Sequence, residues 1–463
     1  MTQVVSQSQR HWPIRTVGEL ATAIQYGYTA KSNRAISGPK YLRITDIQDD
    51  AVDWPQVPSC EIDKEDIAKY RLKAGDLVFA RTGATVGKSY LIRLGVPLSV
   101  FASYLIRIRF GPEVDSRYVA YFFSSPSYWR QVTERQAGIG QPNVNGKKLA
   151  QVKLPVAPIE EQQKVIAEIE KQFSRLDDAV TNLKRVKANL KRYKAAVLKA
   201  AVEGRLVPTE AELARSEGRS FELGEELLKR VLETRRNQWK DKSRYKEPVA
   251  PEPINGFNLP DGWTWCGFQQ ISQSHKHALK AGPFGSALKK EMYVEIGYKI
   301  YGQEQVIRGD SNYGDYFIDE EKYRQLESCA VRPRDLLVSL VGTAGKVLVL
   351  PEGIIPGIIN PRLLKLSLNG AFVLPQFAAI VLQSSWASKF FKREAHGGTM
   401  EILNLGIIKS LPVPLPALAE QGRIVSEVER CLSFTRSLDR QIDANLGRAE
   451  ALRQTILSRS FSG

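Results

Sequence analysis

The chain has 463 residues, 43% hydrophobic and 25% charged, too long for one ordinary core and too apolar for a disordered protein, so two to four domains are expected. No apolar run reaches about 18 residues and the N-terminal stretch is polar, which excludes a membrane span and makes the cytoplasm the expected location. Lys plus Arg number 66 against 50 acids, and the net charge of +16 suits a polyanionic partner, because each neutralised phosphate releases counterions.

Residues 1–153 read as a mixed domain. Short β-type runs at 40–45, 76–80 and 103–109 alternate with Gly and Pro punctuation, and two short helices follow at 116–123 and 128–136, parted by Pro126. Loops here mix aromatic, amide and basic side chains: Tyr26 and Tyr28 with Lys31, Asn33, Arg34, Lys40 and Arg43. Phosphate contacts from Lys and Arg position a protein on DNA, and Arg, Asn and Gln can read base edges, so these residues are candidate DNA contacts. Arg81, Thr82 and Lys88 frame a Gly-rich turn, Gly83-Ala-Thr-Val-Gly-Lys88. A phosphate-cradling loop needs four residues between its first Gly and the Gly-Lys pair; here there are three. A turn between two strands is therefore expected, with its glycines and Lys88 able to approach a DNA phosphate.

Residues 154–204 read as a long helix. A Pro-rich lead, Leu154-Pro-Val-Ala-Pro158, precedes a stretch from Glu160 to Glu203 without Pro or Gly. Ile169, Leu176, Leu183, Leu190 and Val197 recur every seven residues, with Phe173, Val180, Val186 and Tyr193 as a second seam. At about 1.5 Å per residue such a helix outruns a small domain. Residues 205–260 form a connector with one amphipathic stretch, 222–241, turning Leu227, Leu228, Val231 and Leu232 inward, and carrying the chain back along the helices.

A second mixed domain, 261–410, is expected to hold β-type runs at 335–340 and 363–367 and a helix over 376–391. Its candidate DNA contacts are Lys276, His277, Lys280, Lys289, Lys290 and Lys346. Residues 411–463 give a second long helix, its seam Val428, Thr435, Ile442, Ala449 and Ile456, accompanied by Leu432, Leu438, Leu446 and Leu452.

The two halves are copies of one unit. Asp76 in Lys-Ala-Gly-Asp-Leu-Val answers Asp335 in Arg-Pro-Arg-Asp-Leu-Leu; the offset, 335 minus 76, is 259 residues. Gln162 and Gln421 share that offset, as do Gly204 and Gly463. The Gly-Lys turns, Leu154-Pro-Val and Leu411-Pro-Val, and Trp12 with Trp263 match with small gaps. One skeleton with two different fillings suggests one fold carrying two specificities. The fold class expected is α+β: two mixed α/β modules in pseudo-twofold repeat, joined by two long antiparallel coiled-coil helices with a module at either end of the rod.

Catalytic chemistry is sparse. The Asn/Asp-Pro-Pro-aromatic motif of an amino-methyltransferase is missing, Asn360-Pro-Arg being a superficial likeness. His275 and His277 make a local pair too small for a metal site, and Cys60, Cys266, Cys329 and Cys431 lack zinc spacing.

The sequence resembles the specificity subunit of type I restriction-modification systems. The likeness runs through Gly75-Asp-Leu-Val78, Arg81 to Lys88, Gln141-Pro-Asn143, Leu154 to Pro158, Glu161-Gln162, Ala196 to Pro208 and Leu259-Pro-Asp-Gly-Trp263; Gly398-Thr-Met-Glu401 and the shorter second turn depart from it. The resemblance implies two target-recognition domains reading a bipartite, gapped site in double-stranded DNA. It implies a subunit with no active site or cofactor of its own. Its partners would be a methyltransferase in two copies that binds S-adenosylmethionine and a restriction subunit that uses ATP and magnesium. The same architecture serving another DNA-modification or phage-defence complex is the alternative.

Overall fold

The structure is a computed structural model that describes residues 12–48, 50–81, 86–134, 144–239, 244–253, 257–342, 345–394 and 403–461. The chain divides into two compact units: residues 1–185 with 441–463, and residues 186–440.

The first unit is built on a four-stranded antiparallel sheet in the order Ala21–Tyr26, Leu105–Phe110, Leu77–Ala80, Ser89–Leu91. Alternation along its strands divides the apolar side chains between two cores. Leu77, Phe79, Ile106 and Ile108 face the helix Ser116–Phe123, whereas Val78 and Leu105 join Leu42 and Phe101. Those last two belong to a second sheet, in which Ser99–Phe101 runs parallel to Lys40–Leu42 and Ser59–Cys60 antiparallel to it.

The second unit repeats this plan. Leu279–Ala281, Leu363–Leu366, Leu336–Ser339 and Val347–Val349 form an antiparallel sheet in the same order. Leu336 and Val338 face one core and Leu337 the other. Gly357–Ile359 runs parallel to Tyr298–Tyr301, with Phe317–Ile318 antiparallel on the far side. The α+β class and the repeat expected from the sequence are both present.

Two helices of 44 residues, Ile159–Val202 and Leu418–Phe461, pass through both units. In the first unit Ile166 and Ile169 share a core with Leu457 and Phe461, and further on Asp177 pairs with Arg453. In the second unit Lys194 pairs with Asp439, and Val197, Ala201 and Val202 share a core with Ile424, Val428 and Cys431. In each unit a rising number on one helix meets a falling number on the other, so the helices are antiparallel. The first seam is sheltered from Ile169 to Val197 and from Val428 to Ile456, including Thr435, whose hydroxyl donates to the Leu432 carbonyl at 2.9 Å. The second seam is sheltered in part: Phe173, Val180, Leu432, Leu438 and Leu446 are half-buried, whereas Val186, Tyr193 and Leu452 are exposed. A straight helix drifts about 20° per heptad, so a pair of helices covers one narrow stripe rather than two.

Three further expectations change. The 376–391 stretch is two helices, Pro375–Gln383 and Ser385–Glu394, because extended Ser384 interrupts the run and its hydroxyl accepts the Ala387 amide at 3.1 Å. The segment around Leu154 is a strand, Lys153–Pro155, paired with Ile14–Thr16. The connector does not run back along the long helices. Its helix, Gly224–Asn237, sets buried Leu227 and Val231 against Phe268 and Ile271 of the second unit, and a shorter helix, Glu210–Glu217, precedes it.

Candidate nucleic-acid interface

A hydrogen-bonded frame places the loops of both units, and it recurs at the offset read from the sequence. Lys73 donates its amide to Asp76 Oδ2 at 3.0 Å, and Arg332 donates to Asp335 Oδ2 at 2.8 Å. Gln162 Oε1 accepts the Asp115 amide at 2.8 Å while its Nε2 donates to the carbonyls of Glu113 and Ala157. Gln421 does the same with Leu374, Phe372 and Pro416. Asn145 and Asn404 each cap a short helix. One charge differs. Arg109 pairs with buried Asp76 at 2.7 Å, whereas its counterpart in the second unit is Ser367, and burial without that guanidinium raises the Asp335 carboxyl.

On this frame, one end of the four-stranded sheet of the first unit gathers aromatic and basic side chains. The Arg81 amide donates to the Tyr104 carbonyl at 3.0 Å, and the Val144 amide to the Arg81 carbonyl. The Arg81 guanidinium lies over the Tyr26 ring, 5.2 Å from its centroid, with Nε sheltered and without a hydrogen-bond partner among the described residues. Tyr26 Oη accepts the Gly146 amide at 2.9 Å, which fixes the ring. Tyr104 is 63% exposed beside it, and exposed Lys88 follows Gly87, whose φ of 82° needs glycine. The turn joins strands Leu77–Ala80 and Ser89–Leu91, so it lacks the helix N-terminus that a phosphate-cradling loop offers. Lys31, Asn33 and Arg34 are exposed in the segment beyond Gly27, where a Cβ would come within 2.1 Å of the Ala102 carbonyl.

The same end of the second unit is built by Leu340, Arg362 and Lys346. Leu340 donates to the Arg362 carbonyl at 3.0 Å, Leu403 donates to Leu340, and exposed Lys346 follows Gly345 at φ 81°. Gly282 makes the crossing that Gly27 makes, a Cβ there falling 1.9 Å from the Asn360 carbonyl. Where the first unit has a cation, Arg81, the second has buried Leu340. Lys289 and Lys290 are exposed at a short 3₁₀ turn.

Not every candidate joins these surfaces. Thr82 lies outside the described residues. Lys40 Nζ turns inward to the Val57 carbonyl at 2.8 Å, and Arg43 is held by Asp46 through Nε at 3.0 Å and NH2 at 2.7 Å. Lys276 and His277 precede the strand Leu279–Ala281, at the opposite end from Gly282, and Lys280 lies within it, opposite Lys365. Nearby His275 is sheltered; burial, then Arg332 and Lys365, pushes its imidazole down to about 4. Among the described residues, no group of three or more His, Cys, Asp or Glu could hold a metal, and no helix is long and apolar enough to cross a membrane.

Residues 302–316 of the second unit, a short helix Gln303–Arg308 and the loop after it, carry exposed polar groups that were not among the candidates. Lys299 stands where Lys40 stands in the first unit, on the strand next to the parallel partner, and is 1% exposed. Its Nζ donates to the carbonyls of Asn312 at 2.8 Å and Gly314 at 2.9 Å. The available signal was the offset itself, since Lys40 and Lys299 lie 259 residues apart.

The model of the type I restriction modification DNA specificity domain matches residues 9–192 and 286–447. The Escherichia coli EcoBI specificity subunit is 24% identical over 350 residues, covering 74% of this chain and 65% of that protein. The match to the E. coli EcoAI specificity subunit spans 40% of that protein, so the chain covers less than two thirds of either relative. The StySPI specificity subunit of Salmonella potsdam is 23% identical over 471 residues, covering 98% and 89%. Among solved structures, the HsdS subunit from Thermoanaerobacter tengcongensis aligns over 100% of both chains with a TM-score of 0.51. A chain from a study of complex assembly and conformational transition of the type I R-M system aligns over 98% of both with a TM-score of 0.65. Both are 16% identical and speak to the fold. The matched stretches take in well over half of the sequence, and the chain belongs to the type I restriction modification DNA specificity family.

Proposed function

We propose that this chain is the DNA-reading subunit of a type I restriction-modification complex, recognising a bipartite, gapped site in double-stranded DNA with one module per half. The observation that carries the reading is the repeated frame. The same backbone hydrogen bonds recur through both units, while the exposed side chains they present differ, Tyr104 against Arg362, and half-buried Arg81 gives way to buried Leu340. One scaffold presenting two sets of exposed groups suits two half-sites of different sequence.

In this reading the chain is a non-catalytic adapter of the cytoplasm and binds no cofactor. A methyltransferase in two copies supplies S-adenosylmethionine chemistry, and a restriction subunit supplies ATP- and magnesium-dependent chemistry. The test is methylome sequencing of cells carrying the chain with its methyltransferase, before and after residues 1–153 are replaced by a relative's module. A gapped motif in which only one half changes is expected. A continuous motif, or a change in both halves together, overturns the assignment of one module per half-site.

A further inference from the structure

Between Tyr301 and Phe317 a short helix, Gln303–Arg308, leads into a loop, 309–316, that is held firmly from within the unit. Buried Lys299 fixes the carbonyls of Asn312 and Gly314, and buried Gln305 donates to the carbonyl between them, Tyr313, at 2.7 Å. Gln305 is itself locked, because its Oε1 accepts the Gly302 amide at 2.8 Å. A sheltered ammonium is costly unless its hydrogen bonds are made, so these contacts oppose any rearrangement of the loop. Gly309 and Gly314, at φ 70° and 80°, turn the chain at either side. Three successive carbonyls are tied down from within the unit, and the side chains of Arg308, Asn312, Tyr313 and Tyr316 remain exposed.

Arg308 and Tyr313 are placed against each other as well. The Arg308 guanidinium lies 4.0 Å from the Tyr313 ring centroid, and the Asn312 backbone amide donates to Asp310 Oδ1 at 2.9 Å, which fixes the main chain that carries the exposed Asn312 side chain. The charge is mixed: Asp310 and Asp315 are exposed in the same loop. Two carboxylates beside one guanidinium are a poor match for a phosphate backbone. They match base edges, where Arg meets guanine, Asn meets adenine and a carboxylate accepts from the cytosine amine.

The first unit supplies the internal comparison. Lys40, at the equivalent strand position, donates to the Val57 carbonyl, so the anchor is shared. The loop it anchors is different, carrying a hairpin of Ile47–Gln48 with Ala51–Val52, and Arg43 tied to Asp46. A common anchor under unlike loops marks the place where two modules on one scaffold can differ in what they read.

We propose that the end of the helix Gln303–Arg308 and the loop 309–316 after it form a base-reading segment of the second module, with Arg308 and Asn312 contacting base edges of one DNA half-site. This rests on the function proposed above. The test is selection from a randomised duplex pool by the full chain, by Arg308→Ala and by Asn312→Ala, with the salt dependence of affinity measured for each. Both replacements are at exposed positions. Each is expected to relax one or two adjacent positions in one half-site, by roughly 5–150-fold in base preference, and to leave the other half-site and the salt slope unchanged. If the wild-type chain selects no gapped sequence, the DNA-reading function itself fails and the loop proposal with it. If the wild type selects one and both variants select the same, only the loop proposal is overturned. A uniform loss across sequences, with a salt slope smaller by about one, makes Arg308 a phosphate contact and also overturns it.

Discussion

Replacing Gln162 by Leu tests the frame on which both units depend. The side chain is wholly buried and makes three hydrogen bonds, from the Asp115 amide at 2.8 Å and to the carbonyls of Glu113 at 3.0 Å and Ala157 at 2.7 Å. Leucine has a similar volume but satisfies none of them. At roughly 0.5–1.5 kcal/mol for each of the three bonds, plus about 1–3 kcal/mol for an orphaned buried amide, the expected loss is about 2.5–7.5 kcal/mol. At roughly 2–4 °C per kcal/mol for a unit of this size, that is about 5–30 °C in melting temperature. Gln421→Leu is expected to cost a little less, since its corresponding bonds are 2.9, 3.2 and 3.1 Å. Urea titration with amide exchange at Asp115 and Leu374 reads each unit separately. The reasoning is refuted if Gln162→Leu costs under about 1 kcal/mol, or if it speeds exchange at Leu374 as much as at Asp115.

His275 gives the second unit an acid sensitivity. Its folded pKa of about 4 lies below the usual value near 6.5, so the unfolded chain binds the proton first as pH falls. The stabilisation is complete above about pH 6.5 and is lost as pH drops towards 4, up to roughly 3 kcal/mol in all. The melting temperature of wild type should therefore fall relative to that of His275→Gln between pH 7 and pH 5; parallel curves would exclude this residue as the cause. Gly282→Ala places a methyl 1.9 Å from the Asn360 carbonyl oxygen, so a loss of at least about 1–3 kcal/mol is expected in the same assay, and a neutral result would mean that the strand crossing is not as tight as described. Arg81→Ala removes the cation stacked on Tyr26; affinity for the half-site read by the first module should fall roughly 5–150-fold, and unchanged binding would remove Arg81 from the interface.

The repeat was legible because the residues that carry it are polar groups holding backbone. Asp76 with Asp335 and Gln162 with Gln421 keep their identity at one spacing since each satisfies particular amides and carbonyls. The heptads gave the long helices for a similar reason, a stripe that a partner helix must cover. The interface was less legible. Lys40 and Arg43 look like any basic loop residue in one dimension, and only the fold shows the Val57 carbonyl and the Asp46 carboxylate that engage them. The Arg308 to Tyr313 stretch drew no attention because its acids cancel its charge. The connector helix was found by its apolar face, but nothing in that face says which core it enters.

Phe461 has a consequence for how the protein is made. Its ring sits 5.0 Å from Tyr118 and 5.5 Å from Phe122, and it is 5% exposed. The first unit thus draws on residues 441–463 as well as 1–185, while the second is a continuous stretch, 186–440. On the ribosome, at about 5–20 residues per second, the second unit has its whole sequence before the first receives the helix that closes its core. The part synthesised first is the part completed last. An early stop shortly before Phe461 would spare the module encoded beside it in sequence and injure the one that holds Tyr118, 343 residues earlier (461 minus 118).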